Sequence, residues 1–330
     1  MALSNQMYQM LRATSRTFTL SIELLPDVVG DAIAVSYLLL RVSDYLEDNE
    51  EMEAGRKADL LTLWADLLQA GQAGDVSSLT TQLLELKNPD EEAYVAQQAH
   101  EILHQMRTLP EPVQEIIVHY VRETTMGMAK WQNDGPIIGT EDEMDDYMHY
   151  VAGVVGYLIT EVFAWHSPVI KARKEELMPL SRQYGLALQT VNIIRGMRKD
   201  YERGWIFVPK TYYEGAGLSC AQMFEPAYRD RSLVVVNRLA DKALTHLDHG
   251  IEYIKAFPRH QHRIRLACMW PLLFAAKTLA VSRGNVAVLD NEAKMTREEV
   301  KRIMRNTTMM GWSNRWVNRY YQQLSEPVML

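Results

Sequence analysis

The chain has 330 residues, is 47% apolar and carries a formal net charge of −7 with a pI near 5.8. That length suffices for one large core or two modest ones, and the acidic balance argues against a general nucleic-acid binder, so any anionic ligand must be met by local cations. Cys220 and Cys268 alone exclude a disulfide framework or a zinc cluster, while 17 Gly and 12 Pro beside abundant Leu, Ala and Met favour long helices over strands.

The amino terminus lacks a basic start and an apolar core, and no run approaches ~18 uncharged apolar residues. The expectation is a cytoplasmic protein without a transmembrane anchor. Residues 13–21, Ala-Thr-Ser-Arg-Thr-Phe-Thr-Leu-Ser, put Ser15 and Thr17 where hydroxyls cap a helix or donate to phosphate oxygens, with Arg16 adding charge. After the turn at Pro26 a helix is predicted to run to Asp48. Tyr37, Arg41, Asp44 and Asp48 recur at three- or four-residue steps on it and share a face. At a rise of about 1.5 Å per residue the two aspartates stand roughly 6 Å apart, close enough to hold hard cations against a phosphate that Arg41 also grips. The bland alternative is a solvated face with one salt bridge.

Helices are predicted next over 50–85, 91–107 and 112–133. His100 and His104 have metal-ligand spacing but no third ligand. Beyond the Gly135-Pro136 turn comes Tyr147-Met-His-Tyr150-Val-Ala-Gly153-Val-Val-Gly156. Each glycine in such a helical pattern costs about 0.5–1 kcal/mol relative to Ala. Either helices pack closely there, or the missing side chains clear room for a ligand beside Tyr147 and Tyr150. Gln189, Asn192, Gly196 and Asp200 repeat the stepping of Tyr37 to Asp48, so two polar-faced helices are expected to line opposite walls of one cavity. Residues 205–209 leave the second helix as an aromatic elbow. Helices over 232–255 and 263–284 follow, the latter kinked by Pro271 at the cavity wall. A last helix over 296–311 precedes a tail with Trp312, Trp316, Tyr320 and Tyr321. No repeat or long linker interrupts the chain, which reads as one all-α domain over 1–330.

Taken together, these blocks resemble the squalene and phytoene synthase family, which joins isoprenyl diphosphates head to head. Ser15-Arg16-Thr17-Phe18 resembles its amino-terminal phosphate segment, and Tyr37 to Asp48 its first aspartate-rich motif. Tyr147 to Gly156 is similar to its central tyrosine block. Gln189-Thr-Val-Asn192-Ile-Ile-Arg195 with Gly204 and Phe207-Val-Pro209 resembles the surroundings of its second motif. Ala267-Cys268-Met-Trp-Pro271 points to the squalene-synthase branch. The likeness runs from about 12 to 295, leaving a helical tail over 296–330. It implies a single-domain helical bundle around a central cavity, with Mg2+ on Asp44 and Asp48 and a diphosphate against Tyr37, Arg41, Ser15, Arg16 and Thr17. It further implies proton handling and cation stabilisation at Tyr147, and acceptor contacts at Phe18, Tyr150, Gly153, Gly156, Gln189 and Asn192.

One departure bears on function. Where the family places an aspartate and, three residues on, an acidic residue before a final aspartate, this chain has Gly196, Lys199 and Asp200. A cation near a bound divalent ion is repelled by about 4 kcal/mol per unit charge pair at 4 Å and an effective dielectric of 20. This favours a prenyltransferase with one complete ionising site and a neutral, aromatic small-molecule acceptor, similar to members of the superfamily that prenylate carbazole-type rings. There Asp200 would orient the acceptor or take its proton, Gly196 would leave room for a flat ring, and Lys199 or Arg198 would grip the pyrophosphate without metal, with Arg195 a further diphosphate contact. Head-to-head condensation, with Lys199 and Arg198 standing in for a magnesium ion, is the alternative. A third reading is a non-catalytic assembly or binding protein.

Overall fold

Leucine, alanine and methionine at helical spacing fold this chain into helices throughout. The computed structural model describes residues 3–70, 76–84, 90–290 and 293–327, apart from the side chains of Arg16, Asp27, Ala70 and Leu84. In order the helices are α1 (Asn5–Thr14), α2 (Arg16–Ile22), α3 (Asp27–Asp48), α4 (Ala54–Ala70), α5 (Ser77–Leu84), α6 (Glu91–Gln97), α7 (Ala99–Met106) and α8 (Glu111–Asp134). Then follow α9 (Glu141–Met148), a π-helical segment (His149–Gly153), α10 (Val154–His166), α11 (Pro168–Lys171), α12 (Lys174–Glu202) and α13 (Lys210–Gly215). The last four are α14 (Arg229–Ala256), α15 (His262–Ser282), α16 (Arg297–Met310) and α17 (Asn314–Ser325). No strand forms among the described residues; a parallel backbone bridge joins Ile137 and Ile206.

Packing groups the chain into two compact units, Met1–Gly135 with Val154–Met178 and Pro136–Gly153 with Pro179–Leu330. The first is built on α3. Val29, Ala32, Val35, Leu38, Leu39, Val42 and Leu46 are buried on one side of it, against α4, α6, α7, α8 and α10. That apolar stripe leaves Tyr37, Arg41, Asp44 and Asp48 on the more open face. Ser43 and Thr125 share a buried 2.7 Å hydroxyl hydrogen bond that fixes the rotation of α3 against α8. The single helix expected over 91–107 is two, because Gln98 leaves helical geometry at φ −92°, ψ 15°. Its amide oxygen accepts from Gln6 on α1 at 3.0 Å, a tertiary bond that competes with the local pattern.

The second unit closes around α15, whose side chains are buried almost all round and which continues through Pro271. Two helical stretches, Glu141–His166 and His262–Ser282, are long and apolar enough to cross a membrane by length and composition alone. The second has 89% of its apolar window buried inside the protein, where those side chains serve the core.

Candidate functional site

In the first unit the predicted face of α3 becomes a charge cluster. The Arg41 guanidinium donates from Nε to the Tyr37 hydroxyl at 3.0 Å and from Nη1 to Glu92 at 3.1 Å, and lies 3.4 Å from Asp44. Tyr37 in turn donates to the Thr14 carbonyl at 3.2 Å, which ties α3 to the end of α1. Burial opposes the Arg41 charge, but Asp44, Tyr37 and Glu92 outweigh it and hold the group above its ordinary range. Burial pushes Asp44 up to about 6, against the pull of Arg41 and with help from Asp48 and Glu92. Glu92, at the start of α6, completes the cluster and carries no signal in the sequence; beside Asp90 and Glu91 in the helix's first turn it looks like an ordinary dipole partner.

Asp44 and Asp48 offer hard oxygen donors one turn apart, and a carboxylate held partly neutral by its surroundings is one that a divalent cation would ionise. The donor set fits Mg2+. Among the described residues no group of three or more His, Cys, Asp or Glu could enclose a metal, so an ion on these two needs further oxygens from a ligand or water. Ser15 caps α2, accepting from the Phe18 amide at 3.0 Å, and Thr17 is exposed beside it. Phe18 is also exposed and tilts against Tyr37 at 6.1 Å. The Arg16 side chain lies outside the described residues. Gly156 is buried in α10, its carbonyl accepting from Thr160 at 2.9 Å.

In the second unit, α12 ends in a turn that aims the aromatic elbow. The Trp205 amide donates to the Asp200 carbonyl at 2.8 Å and the Gly204 amide to Tyr201 at 3.0 Å, with Gly204 at φ +84°. This is the glycine-terminated helix stop in which a side chain at Gly204 would strain the backbone. Beyond it, the Ile206 amide donates to Pro136 at 2.8 Å and the Ile138 amide to Ile206 at 3.1 Å. The elbow is thereby stitched to the segment leading into α9, and Phe207 stacks on Tyr147 at 4.7 Å and 23°. Trp205 stacks on Phe207 at 5.6 Å and 16°, so Tyr147 heads a run of three rings. Sequence reasoning finds the elbow but not this stack, since residues 147 and 207 are joined only by tertiary structure.

Gly153 of the tyrosine block sits in close contact with its neighbours. A side chain at Gly153 would come within 3.0–3.2 Å of His149, Leu186 and Arg182. The closest approach belongs to Gly185, unremarked in the sequence, where a Cβ would stand 2.2 Å from the Ala152 carbonyl oxygen. The π-helical segment and α12 therefore touch backbone to backbone, and the contacts at Gly153 support the close-packing reading of that glycine. Tyr150 is half-buried, its ring 5.3 Å from that of His149. Pro271 is buried inside α15, between Cys268, whose carbonyl accepts from Tyr184 at 3.0 Å, and the core of the unit.

Along α12, Gln189, Asn192, Gly196 and Asp200 do share the face away from the buried Leu186, Ile193 and Met197. Asp200 is ion-paired with Arg203 at 2.8 Å and Arg198 with Glu202 at 2.7 Å. Arg195 and Lys199 are exposed, and they leave residues 195–203 with a net positive charge. Toward Trp205 and Phe207, Asp200 borders a gap of about 10 Å³, room for no more than a water. A Cβ added at Gly196 would have the Asp200 carboxylate as its nearest neighbour, at 3.4 Å.

These two clusters sit in a chain whose relatives are informative. A family model for squalene/phytoene synthase matches residues 11–299. The squalene synthase of Homo sapiens is 27% identical over 320 residues, covering 96% of this chain and 72% of that protein. That of Schizosaccharomyces pombe is 26% identical over 302 residues, covering 90% and 63%. The solved complex of TcSQS with the ligand BPH1237 superposes with a TM-score of 0.84 at 23% identity, over 97% of this chain and 90% of that one. A dehydrosqualene synthase gives 0.64 at 18% identity, over 96% of each chain. With a family model spanning most of its length and the same fold, the chain belongs to the squalene/phytoene synthase family and is a prenyltransferase that releases diphosphate.

Proposed function

We propose that the protein condenses two allylic prenyl diphosphates head to head, rather than transferring a prenyl group to an aromatic acceptor as the altered second motif suggests by itself. The observation that carries this reading is the charge of the second motif. Its remaining carboxylate, Asp200, is engaged by Arg203 at 2.8 Å, and Arg195 and Lys199 leave that stretch cationic. Such a surface suits a second diphosphate better than a neutral ring, because charge-assisted bonds to phosphate are its natural use. The names of the relatives support the same choice.

In this reading the first diphosphate binds at α3. Arg41, held charged and oriented by Tyr37 and Glu92, contacts its oxygens. Mg2+ bound by Asp44 and Asp48 would neutralise the leaving group. As the allylic C–O bond breaks, its electron pair departs on diphosphate, and the double bond of the second prenyl chain forms the new carbon–carbon bond. The proton then lost is within the chemistry of the Tyr147 hydroxyl, whose ring, stacked with Phe207 and Trp205, offers π faces to the cation. Apolar packing around these rings keeps water from quenching it.

One observation favours the aromatic acceptor: Gly196 removes the side chain that would otherwise stand beside Asp200. Both readings part in one assay, incubation of the purified protein and Mg2+ with farnesyl or geranylgeranyl diphosphate, alone and with indole-type acceptors. A condensed hydrocarbon, or its cyclopropyl diphosphate precursor, from donor alone supports condensation. A prenylated ring formed only with acceptor overturns it. Absence of both turnover and diphosphate binding would point to the non-catalytic protein.

A further inference from the structure

The charge of this acidic chain is unevenly spread. Between Tyr253 and Leu289, and again between Val300 and Ser325, there is no aspartate or glutamate. The two stretches meet at the corner between α16 and α17. There His262 bonds the Thr308 carbonyl at 3.0 Å, and the buried Arg265 donates to the Gly311 carbonyl at 3.2 Å and to Asn314 at 2.7 Å. Further bonds from Arg265 to the carbonyls of Ile254 and Phe257, at 3.0 and 2.9 Å, lock the corner to the end of α14.

This rigid corner presents apolar side chains to solvent. Met309 is 68% exposed, Trp312 51% and Met310 39%. Exposed cations share these elements: Arg302, 3.9 Å from Glu299, and Arg305 precede Met309 on the same face of α16, Arg315 and Arg319 follow on α17, and Arg259 and Arg263 flank the contact made by His262 in sequence. Large apolar groups held out by a buried arginine, within a field of cations in a chain of net charge −7, are not explained by packing.

We infer that the α16–α17 corner docks the protein on an anionic lipid bilayer, with Met309, Met310 and Trp312 entering the headgroup–acyl boundary and the arginines contacting lipid phosphates. Charge complementarity selects this occupant. A second copy of the same cationic corner would be repelled, and a nucleic acid would leave the two methionines without an apolar partner. The inference holds for either prenyl acceptor, because docking needs no turnover.

The test is co-sedimentation of the full chain with phosphatidylcholine vesicles, with and without phosphatidylglycerol. Binding is expected on the anionic vesicles and should reverse with salt. The double variants Met309→Ser/Trp312→Ser and Arg302→Glu/Arg305→Glu should each lower partitioning about tenfold or more. Circular dichroism melting of both variants should match the wild type. If a double variant melts early, Met309→Ser alone, read with Trp312 quenching by brominated lipid, carries the test. Failure of the wild type to bind anionic vesicles overturns the inference, as does binding that the variants leave unchanged. Capture of an oligonucleotide in place of vesicles, or a dimer that the Met309→Ser/Trp312→Ser variant dissolves, overturns it too.

Discussion

Replacing Asp44 by Asn should make the protein more stable and inactive. The carboxyl titrates near 6 in the fold against an ordinary 3.8, chiefly through burial, with Arg41 pulling the other way and Asp48 and Glu92 adding to the rise. Below the ordinary value both folded and unfolded chains are protonated there, and the group contributes nothing to the pH dependence. As pH rises toward 6 the unfolded chain releases the proton first, so stability falls and stays lower above 6. A gap of about two pH units corresponds to roughly 3 kcal/mol. The Asp44 side chain keeps 32% of its surface open, and solvent screening reduces that to on the order of 1–2 kcal/mol. Asn keeps the shape without the charge and should recover this amount. The assay is urea unfolding of metal-free protein at pH 7.5 and at pH 3. Asp44→Asn should gain stability at the higher pH and match the wild type at the lower one. Mg2+ with pyrophosphate should stabilise the wild type more than the variant, and turnover should disappear. A loss of stability at pH 7.5, or equal changes at both pH values, would refute the reasoning.

Two more substitutions probe the second unit. Gly185→Ala sets a Cβ 2.2 Å from the Ala152 carbonyl oxygen, an immovable backbone atom, and should destabilise by about 3 kcal/mol or more, whereas Gly153→Ala meets atoms at 3.0–3.2 Å, mainly side chains able to shift, and should cost about 1 kcal/mol. Equal denaturation midpoints for the two would contradict the backbone contact. Lys199→Glu should raise the KM for prenyl diphosphate about tenfold if this cation grips a diphosphate, while leaving the melting temperature within a degree or so of wild type because the residue is exposed. An unchanged KM would remove Lys199 from the site.

Much of this was readable along the chain because helices make it local. Tyr37, Arg41, Asp44 and Asp48 share a face by periodicity alone, and so do Gln189, Asn192, Gly196 and Asp200. The apolar stripe of α3 dictates which way the first set points. What stayed hidden depends on contacts between distant segments. Glu92 reaches Arg41 across 51 residues, Phe207 reaches Tyr147 across 60, and the meaning of Gly185 lies wholly in Ala152. The split at Gln98, where the side chain bonds Gln6 of α1, and the π-helical turn at His149–Gly153 likewise have no signature in the local pattern. Periodicity leaves open whether Gly153 serves packing or a ligand, and its close neighbours His149, Arg182 and Leu186 support packing.

The two motifs answer to stability in opposite ways, and that difference bears on function. Cations at Arg198 and Lys199 lie in the last turns of α12, where the helix dipole favours them by about 0.3–1 kcal/mol each. A cluster of carboxylates in that place would be disfavoured until a metal arrived. Loss of acidic groups there is what relaxation toward a more stable fold would produce, whether or not diphosphate still binds. Asp44 runs against that tendency. It is partly buried, beside Asp48 and Glu92, and its charge is carried at a cost that Arg41 only partly offsets. A fold free to relax would replace it with Asn or Ser. Its presence, with Arg41 held by Tyr37 and Glu92, fits the proposed Mg2+–diphosphate ligand, whose metal ion would supply the missing positive charge. The ionising half of the chemistry is therefore argued from energetics as well as from kinship, whereas the acceptor half turns on whether Arg195 and Lys199 meet a second diphosphate.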